Sequence, residues 1–267
     1  MRLKVKFEST NFVSTTLIKN VLYVTLTRPE AHNALNSEMI KNLTQIFSQI
    51  KKDKSILAVV LAAEGPSFCA GGDLNWMRES LKFNLTQNTK DAQKLSNMYE
   101  EIFLCPVPVL AYVHGGIMGG GVGLTAVCDI VAAHPDSKFC LSEVKLGLVP
   151  SIISPYVLRK IPESAARPLM LTAEVFKSDH AKNINLVHFV GDKEASQIFI
   201  VNKLGLIANN GPEATRITKN LIQKIKTSSW SQGRILTVKT IAQRRVSKEG
   251  QEGMNAFFEK REPAWHK

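Results

Sequence analysis

Two glycine-dense turns and one carboxylate are the residues of this 267-residue chain whose types and spacing suit chemistry. The longer turn, residues 114–123, has six glycines in ten positions, out of sixteen in the whole chain. It follows the apolar run 107–113 and leads into Leu124-Thr125-Ala126-Val127-Cys128, the order of a buried strand, a turn and a helix start. Phe68-Cys69-Ala70-Gly71-Gly72-Asp73-Leu74 is a second turn of the same kind. Glycine lets the backbone bend where a Cβ would clash, or lie directly against another group. A helix start leaves N–H groups unpaired and facing outward. Two such turns predict two N–H donors converging on one oxygen, an oxyanion hole for a carbonyl that becomes an enolate or a tetrahedral intermediate. Glu143 is the candidate proton carrier beside them.

Other readings of the same residues compete. Gly121-x-Gly123-x-x-Ala126 fits a dinucleotide fingerprint, with Glu143 near the place of a ribose-binding acid. Against it, residues 115–120 separate the fingerprint from the strand end, and a nicotinamide-binding unit has no need of a second turn at Gly71-Gly72. Glu143 alternatively caps the turn before Gly147. His114 is a possible base, although a histidine at a strand end beside glycines is more often a hydrogen-bonded structural residue. Asp73 suits the N-terminus of a helix, where its charge complements the dipole. Asp129, between Cys128 and Ile130, is placed to tie down a strand start.

The elements that must position these residues follow from periodicity. Residues 3–28 read as strands, clearest at 21–26, with a turn at Lys19-Asn20 and a stop at Pro29. Ser37 can cap a helix running to about Lys51, with Met39, Ile40, Leu43, Ile46, Phe47 and Ile50 at helical spacing. Residues 56–62 have the continuous apolarity of a strand covered on both faces. A polar stretch from 79 to 93 lacks pattern and reads as a loop or loose helix, before a better helix through Leu95, Met98, Tyr99, Ile102 and Phe103. Short strands follow at 130–133 and 139–141, then helices at 154–161 and 164–171, with Pro168 near the first turn of the second. From about Lys193 the pattern is wholly helical. The fold class is α/β, with residues 1–192 as the core that carries the site and 193–267 as a helical C-terminal segment.

Composition narrows the classes. No apolar run reaches the length of a membrane span, and the alternating N-terminus is unlike a secretory signal. Cys69, Cys105, Cys128 and Cys140 show no metal-binding spacing and sit among small or apolar neighbours, as free thiols in a reducing compartment do. Net charge is +11, and residues 216–267 hold twelve Lys/Arg against four Asp/Glu. Such a tail suits polyanions, including a phosphorylated cofactor; a solvated helical face is the alternative.

In order and spacing, residues 28–35, both glycine turns, Cys128-Asp129-Ile130, Phe139-Cys140-Leu141-Ser142-Glu143, Gly147-Leu148-Val149-Pro150 and residues 249–261 resemble the crotonase (enoyl-CoA hydratase/isomerase) superfamily. The resemblance covers residues 12–262. It implies a spiral of ββα units with a C-terminal helical trimerisation segment, trimers often pairing into hexamers. Together with the free thiols, which suit a cytoplasmic enzyme, it implies action on an acyl-CoA thioester, with coenzyme A as part of the substrate and no separate cofactor or metal. Carried over by position, the N–H groups of Gly72 and Gly120 hold the thioester oxygen, and Glu143 moves the proton. Ala31, His32, Ala70, Asp73 and Leu74 fall where the family wraps the CoA arm. Lys260 falls where a neighbouring subunit reaches CoA phosphate.

Hydratases of this family commonly use two glutamates; one matches Glu143, and Gly123 stands beside the substrate where the other belongs. The expected reaction is addition of water across C2=C3 of an enoyl-CoA, with Δ3–Δ2-enoyl-CoA isomerisation by the single glutamate as the alternative. Residues 120–124 and 141–157, with Asn75-Trp76-Met77, are similar to the bacterial methylglutaconyl-CoA and carboxygeranoyl-CoA hydratase branch. Trp76 and Met77 then line an acyl pocket or pack beneath their helix. One branch of the family binds RNA through a lysine-studded helix. Here only Lys41 of Lys41, Lys51, Lys52 and Lys54 lies within the helix body, so an RNA-binding or non-catalytic member is the minor alternative.

Overall fold

The computed structural model describes residues 7–266, so the strand-like alternation of residues 1–6 lies outside the described part. The strands are β1 (Val13–Ile18), β2 (Val21–Leu26), β3 (Ala58–Ala63), β4 (Val109–Val113), β5 (Gly116–Met118), β6 (Ile130–Ala133), β7 (Lys138–Cys140), β8 (Phe176–Lys177) and β9 (Phe189–Val190). The helices are α1 (Ser37–Ile50), α2 (Leu74–Ser80), α3 (Leu85–Phe103), α4 (Gly120–Val127), α5 (Ser154–Lys160), α6 (Glu163–Thr172), α7 (Ser178–Asn183), α8 (Lys193–Ala208), α9 (Pro212–Ile225), α10 (Trp230–Arg245) and α11 (Lys248–Phe258).

A six-stranded sheet runs β1-β2-β3-β4-β6-β9, and a three-stranded one runs β5-β7-β8. The β1–β2 hairpin is antiparallel, and both residues of its turn, Lys19 and Asn20, have positive φ, as a type I′ turn requires. Every later pairing in the large sheet is parallel, so each strand returns by a crossover. Isolated bridges Leu35–Gly72 and Cys69–Ile117 continue the small sheet into the first glycine turn. Successive crossovers therefore lay one glycine turn beside the other.

Period-two alternation assigns the two faces of the large sheet. Val59, Leu61, Val109, Ala111 and Val131 enter the main core with α1 and α3. Ala58, Val60, Leu110 and Ala132 face the other way, onto Ile200 of α8. Helix α8 is thus packed with the sheet from which a division at residue 193 would separate it. The later helices expose apolar side chains, among them Trp230, Ile235, Val238, Phe257 and Phe258.

Three local expectations need correction. Asn36, not Ser37, caps α1: its side chain accepts from the Met39 N–H. Residues 85–93 form the first half of α3, because Asn84 and Gln87 close a reciprocal capping box ahead of a stretch that then need not be apolar. Pro168 sits well inside α6, beyond its first turn.

A candidate active site between two glycine turns

The first turn is held by its neighbours on both sides. Leu35 donates its N–H to Gly71 O at 2.7 Å and accepts from the Asp73 N–H at 3.0 Å. In a parallel bridge of this kind the intervening residue, Gly72, directs its own N–H away from the partner strand. Asp73 then starts α2 as its cap, accepting from the N–H groups of Asn75 and Trp76 and from the Arg28 guanidinium at 2.7 Å. Burial alone would raise its pKa, but those donors outweigh it and hold the carboxyl below its ordinary value.

The second turn leaves β5 through Gly119, whose φ of 45° and ψ of −110° suit glycine alone, and whose N–H is fixed to Cys140 O at 2.8 Å. Gly120 opens α4, so its N–H has no intrahelical acceptor. The two turns touch: a Cβ on Gly71 would lie 3.0 Å from Met118 O and 3.7 Å from the Gly120 nitrogen. Neither the Gly72 nor the Gly120 N–H finds an acceptor among the described residues. The buried Tyr99 hydroxyl donates to Gly120 O at 2.8 Å and fixes the orientation of that residue.

Both glycines line a cavity of about 420 Å³, together with Ala70, Leu74, Trp76, Tyr99, Ser142 and Glu143. Glu143 begins a 3-10 turn, Glu143–Leu146, separated from β7 by Leu141 and Ser142. Its carboxyl packs on Gly119, where a Cβ would come within 3.0 Å of Oε1. Its Oε2 is buried with no hydrogen-bond partner. Burial pushes its pKa up. A carboxyl with an unengaged oxygen and a raised pKa, in one cavity with two unengaged N–H donors, is equipped to move a proton next to a carbonyl whose oxygen the donors hold.

The space beside Gly123 is filled. A Cβ there would lie 2.3 Å from Ile153 Cγ2 and 3.0 Å from Tyr99 Cε1. Gly123 is buried under Ile153 and does not line the cavity.

The other predicted residues divide in the same way. Ala70 and Leu74 line the cavity; Ala31, His32, Asp73 and Lys260 do not. His32 contributes through its backbone, accepting from the Ala70 N–H at 3.0 Å, while its ring meets Ser67 Oγ at 3.0 Å. Lys260 follows α11 with a positive φ. Trp76 and Met77 both line the cavity. His114 bonds through Nε2 to Gly65 O at 2.9 Å and lies outside the cavity. Asp129 accepts from the Val109 N–H at 2.7 Å and from Lys219 at 2.6 Å, tying α9 to the start of β4. Burial raises the Cys69 and Cys128 thiols to about 12, which leaves neither as a nucleophile. Among the described residues no group of His, Cys, Asp or Glu is arranged to hold a metal ion, and no helix is long and apolar enough to cross a membrane. A larger apolar hollow, about 710 Å³, lies among α9, α10 and α11 and takes in none of the predicted site residues.

Sequence reasoning did not single out Tyr99, Ile153 or Asp91. Tyr99 carried only the signal of an apolar helix position, and Ile153 carried none, since its role is a contact with Gly123 thirty residues away.

Comparison with known proteins bears on this geometry. The family model described as Enoyl-CoA hydratase/isomerase matches residues 17–267. The short-chain-enoyl-CoA hydratase of Clostridium acetobutylicum is 31% identical over 252 residues, 90% of this chain and 92% of that protein. The crystal structure of an enoyl-CoA hydratase from Shewanella pealeana superposes with a TM-score of 0.91 at 37% identity, covering 95% of this chain and 96% of that one. Pseudomonas aeruginosa AtuE superposes at 0.93 with 31% identity, covering 96% and 100%.

Proposed function

Because the chain belongs to the enoyl-CoA hydratase/isomerase family, we propose that this site hydrates an enoyl-CoA, with the Gly72 and Gly120 N–H groups holding the thioester oxygen and Glu143 as the one proton carrier. The supporting observation is that two unpaired N–H groups and the unpartnered Oε2 of Glu143 share one cavity. Ionised Glu143 takes a proton from water as the water oxygen bonds to C3. The C2=C3 electron pair moves toward C2 and onto the thioester oxygen, where the two N–H donors meet the developing charge. The enolate then collapses, and protonated Glu143 returns the proton to C2, giving the 3-hydroxyacyl thioester. Donors fixed by the backbone need no reorganisation as that charge appears. Coenzyme A enters as part of the substrate, and no other cofactor is required by these steps.

A second reading, Δ3–Δ2-enoyl-CoA isomerisation, is favoured by one specific observation: Ile153 and Tyr99 occupy the space of a second carboxylate beside Gly123. Isomerisation needs only one group, which takes a proton from C2 of a 3-enoyl thioester and returns one at C4. Parallel assays of crotonyl-CoA, 3-hexenoyl-CoA and 3-methylglutaconyl-CoA test the proposal. Hydration of crotonyl- or 3-methylglutaconyl-CoA supports the first reading, and the latter also assigns the branch. Turnover of 3-hexenoyl-CoA alone replaces the first reading with the second.

The working unit we propose is a cytoplasmic homotrimer or a dimer of trimers, built through α9–α11. The exposed Ile222, Ile235, Val238, Ile241, Phe257 and Phe258 support it, since apolar patches of this kind mark association surfaces. Lys260, at the end of α11, would then reach the CoA phosphates of a neighbouring subunit. Light scattering coupled to size exclusion tests this; a monomer at micromolar concentration would overturn it.

A further inference from the structure

We infer that the cavity selects an acyl chain that carries no charge, and that Asp91 enforces the choice against chains ending in a carboxylate. The inference rests on the acyl-CoA reading of the site. Beyond the glycine turns, the cavity wall comes from α2 and α3 on one side and from the segment after Glu143 on the other, with Trp76, Leu95, Leu148, Val149 and Ile152 as its main apolar surfaces. Its ionisable lining groups are acids and a tyrosine: Glu143 and Asp91, with Tyr99. No Lys, Arg or His among the described residues lines it.

Asp91 is held in place. Its Oδ2 accepts from the Trp76 indole N–H at 2.7 Å, which joins α2 to α3, and its side chain is only 14% exposed. Lys94 approaches Oδ1 at 3.8 Å from solvent, being 66% exposed, and does not reach the cavity. An acyl carboxylate entering here would lose its hydration, gain no counter-charge from the wall and meet a fixed carboxylate. Burying an unpaired charge is among the most unfavourable events in recognition, and a like charge set against the wrong ligand is a common means of specificity. An uncharged chain gains instead from the apolar walls, by about fourfold in affinity for each added methylene that is buried. This bears on the branch that residues 141–157 resemble, because both of its named substrates carry a free carboxylate besides the thioester.

Hexanoyl-CoA and adipoyl-CoA test the inference by titration calorimetry on the full-length protein. Both are saturated and unreactive, and they share the same coenzyme, so its phosphates cancel in the comparison. Hexanoyl-CoA is expected to bind at least about tenfold more tightly, with the gap narrowing as salt is added. Asp91→Asn, which retains an acceptor for the Trp76 N–H, is expected to narrow the gap about threefold or more. Equal or tighter binding of adipoyl-CoA would overturn the inference, and an unchanged gap in Asp91→Asn would overturn the role of Asp91. Failure of both thioesters to bind would overturn the acyl-CoA reading beneath it.

Discussion

On one side of the Gly119-Gly120 turn stands a carboxyl with a free oxygen; on the other, within the first turn of α4, the room for a second one is packed with hydrocarbon. The two sides start from similar material. Each sets a glycine against a side chain from the segment that follows β7. They differ in what that segment delivers: Glu143 leaves the sheet directly toward the cavity, whereas Ile153, ten residues later, folds back over Gly123. That only one carboxyl stands against this turn is thus a property of packing as well as of the residue at position 123. A substitution there cannot add a second acid unless Ile153 yields.

The largest effect should come from the side that has the acid. Glu143→Gln keeps the size of the side chain and removes its ability to carry a proton, so kcat is expected to fall by about 100- to 10,000-fold. Thioester affinity, measured by titration calorimetry, should stay within a few-fold. Near-normal turnover would show that Glu143 is not the proton carrier and would erase the contrast.

The filled side is next. Gly123→Glu should destabilise the fold by about 1–3 kcal/mol through overpacking, since its Cβ would start 2.3 Å from Ile153 Cγ2. Adding Ile153→Ala should recover part of the lost melting temperature. If the single variant melts like the wild type, the space beside Gly123 is softer than its packing implies. If the double variant also raises the ratio of hydration to isomerisation, the two sides have been made equivalent.

What could be read from the residues alone follows the same division. Both glycine turns and Glu143 were legible because their signals are local: glycine clusters between a strand and a helix, and an acid just after a strand. The continuous apolarity of residues 56–62 likewise marked β3 as covered on both faces, although which residue meets which core is decided by packing. The helical start of α3 is hidden because residues 85–93 are largely polar, with only the Asn84/Gln87 capping box to mark it. Ile153 over Gly123, Tyr99 on Gly120 and Trp76 on Asp91 join residues 15 to 30 positions apart through tertiary packing, which no local pattern encodes.

Tyr99 touches both sides, with its hydroxyl on Gly120 O and its ring edge near Gly123. As a positioning residue it should act on the proposed oxyanion donor, Gly120, rather than on binding. Tyr99→Phe removes one buried hydrogen bond, worth about 1 kcal/mol, so kcat should fall several-fold to about tenfold while KM stays nearly constant. A rise in KM at unchanged kcat would mean that Tyr99 acts through substrate contact at the cavity wall and not through Gly120.

The smallest effect is a slope. Because burial raises the pKa of Glu143 above its ordinary value of 4.5, the folded chain holds this proton at pH values where the unfolded chain has released it. Stability contributed by the protonated carboxyl is therefore full below the unfolded pKa and is lost as pH rises through the folded one. Glu143→Gln has no proton to lose, so its melting temperature should decline less than that of the wild type across this window. The activity limb that Glu143 governs should lie above the usual glutamate range for the same reason. Parallel slopes in the two proteins would mean that Glu143 meets solvent as an ordinary surface acid, and then its free oxygen would no longer distinguish one side of the turn from the other.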